Sequence, residues 1–508
     1  MKRLPGSSSD GSASSAILST ATQVAIQALT LFVAYRIGVI LFGLPVLGVW
    51  SIASASATFG RIGDLGFAGA VPRLVAGHHS AGTHGQIPAL IETAVLATAL
   101  GTLILALLAF YPLLAFVRSV TTAETSALVM PLLIGANLAL VGGGIGSALL
   151  GCLDGIGEFR TRALISVLGA VANPLTIYLC GKTLGPFSLA VGAIVQVTLM
   201  MTLGWLALRG RIPGLSALPQ QWSPVAFRTL FRIGKFTQAN SVLIMLFEPA
   251  SRMLAGRFGG LEFAATFDLA AKVAGNLRLL FSSFAQSLVP FHAYLKNRPD
   301  EARRLFASST LLTATVASVV SAVALAMAPL LSMFSLTRID PGFVGSFWLL
   351  LLGNLVNVIG GPGYSYLVGG GAIAVATRAL GLQALVFITV AVTMELLSID
   401  VGVSMAYAAA VGVSGLYLLA LASRHLAIPP DEVITRALVA AAPAIATLAV
   451  LAFLALAGFL AQWQAMASLV PLIGIVLAAT VTLLNLRVSR RCIADILMFR
   501  MKAASPST

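Results

Sequence analysis

Residues 127–151, ALVMPLLIGANLALVGGGIGSALLG, run for 25 positions without a charge. A helix needs about 20 mostly apolar residues to cross the hydrocarbon core of a bilayer, so this stretch reads as a membrane span, with Pro131 a candidate kink. It is also one half of a repeat. Asn137, Gly143, Gly144 and Gly146 match Asn354, Gly360, Gly361 and Gly363 at an offset of 217. The tetrapeptide Thr161, Arg162, Ala163, Leu164 recurs as Thr377, Arg378, Ala379, Leu380 at 216, and Val71, Pro72 recurs as Val289, Pro290 at 218. Three matches at nearly one offset, each at the same place in the order of apolar runs, predict a duplicated six-helix unit. An even-numbered unit gives both copies the same orientation, so two parallel lobes are expected, a transporter plan with the substrate at the lobe interface.

Outward from this stretch the same composition continues. Of the 508 residues, 58% are hydrophobic and 9% charged, with a mean hydropathy of +0.97. An ordinary soluble domain carries roughly 25% charged residues, so a soluble fold is excluded. Apolar windows near 17–35, 46–68, 87–110, 127–151, 162–180 and 186–208 are followed by others near 232–256, 263–290, 305–334, 343–368, 372–394 and 401–422. Two more stand near 437–460 and 466–486, which makes an all-α polytopic membrane protein of about fourteen helices. The expected organisation is an N-terminal lobe over 1–208, a basic cytoplasmic linker over 209–235, a C-terminal lobe over 236–422, and two additional helices with a basic tail over 423–508.

The net charge of +14 does not form one stripe, so it reads as topology rather than as a nucleic-acid surface. Its distribution among the loops predicts that both termini face the cytoplasm. Cys152, Cys180 and Cys492 show no paired spacing, and His78, His79 and His84 have no carboxylate among them. Neither a metal site nor a cofactor is indicated.

Ionisable side chains inside spans are costly and usually face a bundle interior or a wet cavity. Arg61 and Asp64 lie three apart in the second span, sharing an α-helical arc with Trp50 and Ser54. Gln238, Ser241, Glu248 and Arg252 share a face of the seventh, and Asp268, Lys272 and Asn276 follow at four-residue steps in the eighth. Equal depth predicts the cross-helix pairs Arg252 with Asp268 and Glu248 with Lys272, which together with Asp64 are candidates for gating or ion coupling. The same groups also suit purely structural pairs. Arg61, Lys272 and Arg278, with Asn276, are candidates to hold an anionic ligand, although Arg278 also suits snorkelling to the interface. Arg162 and Arg378 stand at the expected cytoplasmic mouth.

Two segments carry a resemblance to a known family. Leu47, Gly48, Val49, Trp50 through Gly63, Asp64, Leu65, Gly66 to Val71, Pro72, Arg73 is one. Phe267, Asp268, Leu269, Ala270, Ala271, Lys272 through Leu288, Val289, Pro290 is the other. They resemble the second and eighth helices of the polysaccharide transporter (oligosaccharide flippase, Wzx-like) family of the multidrug/oligosaccharidyl-lipid/polysaccharide (MOP) exporter superfamily. The resemblance implies two MATE-like lobes around a cavity lined by helices 1, 2, 7 and 8. It also implies a non-enzymatic flippase, carrying undecaprenyl-diphosphate-linked oligosaccharide repeat units of O-antigen or exopolysaccharide from the cytoplasmic to the periplasmic leaflet by alternating access. The implied partners are the lipid-linked oligosaccharide, membrane lipids, and a polysaccharide polymerase with other assembly proteins. A lipid II flippase and a multidrug antiporter of the same fold are alternatives. The antiporter would want an acidic cavity, against the Arg and Lys of helices 2 and 8. A membrane polymerase or ligase would carry a large periplasmic loop, and every outside loop predicted here is short.

Overall fold

The computed structural model describes residues 10–295, 298–399 and 401–456. The helix expected near 466–486 and the basic tail lie outside the described residues. Every described element is helical, and nine described helices are long and apolar enough to cross a membrane. Their outer faces confirm the solvent: Leu107 and Leu108 are 65% and 69% exposed, in line with Leu103, Ile104 and Tyr111 on the same helix. A band of this kind is stable against lipid tails and not against water. The chain is a multi-pass membrane protein.

Contacts divide the described chain after Ala265 into two compact units. The first begins with α1 (Asp10–Phe42), α2 (Leu44–Thr58), a 3₁₀ turn (Phe59–Asp64) and α3 (Phe67–Ser80). It continues with α4 (Ile87–Val120), α5 (Ser126–Gly155), α6 (Phe159–Leu184) and α7 (Phe187–Arg209). A loop over 210–223 then leads into α8 (Pro224–Ser287), whose first limb, 224–259, belongs to this unit. Helix α5 is the hub, touching α2, α3, α4 and α7, around a core that includes Phe67, Ile91, Leu149 and Leu153. Small residues let backbones close in where lipid supplies no hydrophobic drive between helices. Gly63 and Gly101 abut so closely that a Cβ on either would overlap the other's carbonyl.

The second unit holds the end of α8, then α9 (Val289–Tyr294), α10 (Pro299–Leu336), α11 (Pro341–Ile359) and α12 (Gly361–Gly369). Helices α13 (Ile373–Leu396), α14 (Gly402–His425) and α15 (Pro430–Leu456) complete it. Asp340 caps α11 by accepting from the Phe343 N–H at 3.0 Å. Helix α15 runs along α10, where the Ser318 hydroxyl donates to the Ala441 carbonyl and accepts from the Ala444 N–H, each at 3.2 Å.

The packing of the second unit repeats that of the first. Helix α13 packs on α14 as α6 packs on α7, α11 on α14 as α5 on α7, and α10 on α11 as α4 on α5. The sharpest sign of duplication is in the backbone. Helix α1 gives way to α2 at Gly43, with φ 80° and ψ 168°, and α8 breaks at Gly260, with φ 76° and ψ −177°. Glycines 217 residues apart therefore make the same bend.

Three spans differ from expectation. The seventh and eighth predicted helices are separated by Gly260 alone, because extended backbone at positive φ, open essentially to glycine, redirects the chain in one residue. The second predicted span stops as an α-helix at Thr58 and tightens into the 3₁₀ turn. Positions 61 and 64 remain stacked at three residues per turn, but the α-helical arc joining them to Trp50 and Ser54 does not exist. The tenth is interrupted at Gly360, packed against the backbone of Gly415.

Candidate functional site

In the first unit the site grows from the turn that ends α2. The chain leaves it through Leu65 and Gly66, both left-handed, at φ 54° and 76°. Buried Asp64 stabilises this exit, its Oδ1 accepting from the Gly66 N–H at 2.5 Å in an Asx-type turn. Gln238, on the first limb of α8, donates its side-chain N–H to the Ile62 carbonyl at 2.7 Å, and Gly66 lies against the Gly234 carbonyl. The segment carrying Arg61 and Asp64 is thus held on both sides. The Arg61 side chain lies outside the described part of the structure. Glu248 and Arg252 are half-buried on the same limb, and the Ser251 hydroxyl donates to the Glu248 carbonyl at 2.7 Å.

At the end of this unit that carries the 210–223 loop, Arg162 reaches Asp154 at 3.2 Å and donates to Gln23 Oε1 on α1 at 3.0 Å. Arg211 pairs with Glu158 at 2.7 Å and donates to the Thr161 hydroxyl at 3.1 Å. The Arg211 hydrogen bond, with that of Thr161, holds the Glu158 carboxyl below its usual range. Glu92, fully buried on α4, accepts from the backbone N–H groups of Ser216, Gln220 and Gln221 at 3.0, 2.7 and 2.7 Å. Its neighbour Thr93 accepts from the Ser223 N–H at 3.0 Å. The loop is therefore bolted to α4 by its own backbone, a role that sequence inspection had not assigned to Glu92.

In the second unit, Lys272 bonds Asp268 at 2.6 Å, one turn away on the same helix, with Asp268 fully buried and Lys272 28% exposed along its side chain. Their four-residue spacing allowed this i,i+4 pair. Asn276 is half-buried one turn further on. Arg278 lines a small cleft with Leu277, Phe281, Ser321 and Asn354 among its walls. Arg378 is exposed. Asn354 was read from sequence only as a mark of the repeat. Yet an Asn in an uncharged apolar run is itself a signal, since a buried amide needs partners. Arg61 and Arg278 stand 217 residues apart, as do Gly43 and Gly260, and Asn137 and Asn354. The arginine is thus duplicated with the bend.

Comparison with solved structures places this architecture. The inward closed conformation of the lipid II flippase MurJ superposes with a TM-score of 0.67 at 13% identity, covering 92% of this chain and 98% of that one. An inward-facing multidrug resistance MATE family transporter of the MOP superfamily gives 0.64 at 14%, covering 79% and 94%. A MOP superfamily transporter from Pyrococcus furiosus, described as having a binding pocket of reversed polarity, gives 0.51 at 14%, covering 80% and 95%. The fold is that of the MATE and MurJ transporters. No family model matches the sequence, and no curated protein does.

Proposed function

We propose that this protein is a flippase for lipid-linked oligosaccharide repeat units, working by alternating access in the bacterial inner membrane with both termini in the cytoplasm. The observation that carries the reading is Arg278, a guanidinium in the second limb of α8 bordering a cleft otherwise walled largely by Leu277, Phe281, Leu351 and Leu355. A permanent cation at the edge of a cleft suits an anionic cargo, and a diphosphate brings about two negative charges that a low-dielectric cavity must meet with charged donors. Arg61, at the equivalent position of the first repeat, supplies a second cation of the same kind. Asp64, Glu248 and Arg252 of the first unit, and Asp268, Lys272 and Asn276 of the second, are the polar groups assigned to sensing or coupling the conformational change.

One structural likeness supports a lipid-linked rather than a free cationic cargo. The lipid II flippase covers 92% of this chain, against 79% for the MATE transporter. That likeness favours lipid II itself as the second reading. The cargo is distinguished in cells: Arg61→Gln and Arg278→Gln variants that reach the membrane at normal levels should lose surface glycan and accumulate lipid-linked precursor on the cytoplasmic leaflet. Arrested peptidoglycan synthesis with normal surface glycan would assign lipid II instead.

A further inference from the structure

The loop over 210–223 does not stand clear of the helices beside it. Glu92, which accepts from Ser216, Gln220 and Gln221, lies about 8 Å along the axis of α4 from its start at Ile87. Trp205, about 6 Å before the end of α7 at Arg209, donates its indole N–H to the Ala217 carbonyl at 2.9 Å. Helix α7 has 23 residues and is about 35 Å long against a hydrocarbon core of about 30 Å, so its last turn falls where acyl chains give way to headgroups. The loop lies at that depth. Its exposed side chains suit the position: Leu218 is 66% exposed, Trp222 47%, and Val225, in the first turn of α8, 74%. They are firmly held, because Trp222 packs on Phe227 at 5.2 Å between ring centroids and Phe227 meets the core residue Phe67 edge-on at 5.8 Å. Arg209, one turn beyond Trp205, and Arg228, one turn beyond Val225, are both exposed. Arg162 and Arg211 at this end are paired with Asp154 and Glu158, whereas no described acid pairs with Arg209 or Arg228.

We infer that this patch binds anionic phospholipid of the surrounding leaflet, Leu218, Trp222 and Val225 meeting the upper acyl chains and Arg209 and Arg228 the headgroup phosphates. An indole is at home at this boundary, with its ring in the apolar layer and its N–H in the wet one. Arg228 lies further along α8, but side chains on a helix tilt toward its start, so its long stem carries the guanidinium back to the headgroups. An arginine held at an anionic membrane surface favours it about fivefold. Charge argues against the chain's own tail as the occupant, since residues 487–502 carry Arg487, Arg490, Arg491, Arg500 and Lys502 against Asp495. Depth argues against a soluble protein, which would have to reach below the ends of α4 and α7. The inference is independent of the cargo.

The test uses the full chain in phosphatidylcholine nanodiscs, with a rising share of the lipid replaced by brominated phosphatidylglycerol or, separately, by brominated phosphatidylcholine. Bromine quenches indole emission on contact, and the signal read is the emission that Trp222→Phe removes. Wild type should be quenched by both lipids, half-maximally at a share of the phosphatidylglycerol at least about fivefold smaller. Arg209→Gln and Arg228→Gln should each close part of that gap and together close it. Arg118→Gln, in the last turn of α4, should leave it open. All three should melt with wild type. Quenching by neither lipid would overturn the interfacial position and point to a protein occupant. Equal shares in wild type would overturn the recognition of anionic lipid, and a gap that survives in the double variant would overturn its assignment to these arginines. Neither lipid carries a diphosphate or a sugar, so each of these results leaves the proposed cargo standing.

Discussion

Gly43 and Gly260 stand 217 residues apart and hold one backbone conformation, φ near +80° with ψ near 180°. Neither is glycine for lack of room: a Cβ on Gly43 would sit 3.7 Å from Pro45, and one on Gly260 would meet nothing within 4 Å. The requirement is conformational, and a side chain in this region costs about 1–3 kcal/mol. Gly43→Ala and Gly260→Ala should each lower stability by that amount. Gly85→Ala, where a Cβ also meets nothing and φ is not positive, should be neutral in the same detergent melting series.

The loop over 210–223 should come loose when Glu92 is removed. Glu92→Ala takes away the carboxylate that three backbone N–H groups share and strands them, which should cost about 3 kcal/mol. Glu92→Gln keeps one acceptor oxygen and should fall between. Limited proteolysis reads this directly, as faster cleavage within 210–223 in Glu92→Ala than in Glu92→Gln.

Asp268 and Lys272 should prove coupled. A fully buried carboxylate deprived of its ammonium partner is expensive, about 3–5 kcal/mol in a dry site and less here because Lys272 is partly exposed. Lys272→Met alone should therefore be more destabilising than Asp268→Asn with Lys272→Met together. A double mutant cycle on melting temperature that returns no coupling would remove this pair from the account.

Much of this was legible in the sequence, and the exceptions have physical causes. The apolar run at 127–151 and its match at 354–363 pointed to the membrane and the duplication, since span length and repeat offset both survive without knowledge of packing. The change from α-helix to 3₁₀ turn at Phe59 did not show, because the two helices draw on the same residue types. The bond between Asp268 and Lys272 was allowed by their four-residue spacing on one helix. Asn354 could be seen as a repeat mark, whereas its lack of a partner among the described residues is a property of packing. Arg61 and Arg278 already stand at the 217-residue offset of Asn137 and Asn354, and the bends at Gly43 and Gly260 carry the same offset into the backbone.

Acid should weaken the second unit through His292. This residue lies on α9, past the end of α8, 2% exposed, with neither ring nitrogen hydrogen-bonded to a described residue and its ring 5.6 Å edge-on from Tyr366. Burial lowers its pKa to about 4. Between about 4 and the unperturbed value of about 6.5 the unfolded chain binds a proton that the folded chain does not. Stability contributed by neutral His292 is therefore complete above pH about 6.5 and is lost as pH falls toward 4, by up to about 3 kcal/mol. His292→Phe should flatten the melting temperature against pH over this window. An unchanged slope in that variant would assign the acid sensitivity elsewhere.

The central claim is that Arg61 and Arg278 carry an anionic, lipid-linked cargo across the bilayer, and it is tested most directly with purified protein in proteoliposomes. The measurement is the rate at which a fluorescent prenyl-diphospho-sugar moves from one leaflet to the other. Wild type should accelerate this movement. Arg278→Gln and Arg61→Gln should reduce it to the protein-free rate, and Arg278→Lys should restore only part of it, because an ammonium cannot supply the two parallel hydrogen bonds of a guanidinium. Movement at the wild-type rate in the Arg61→Gln, Arg278→Gln double variant would contradict the account.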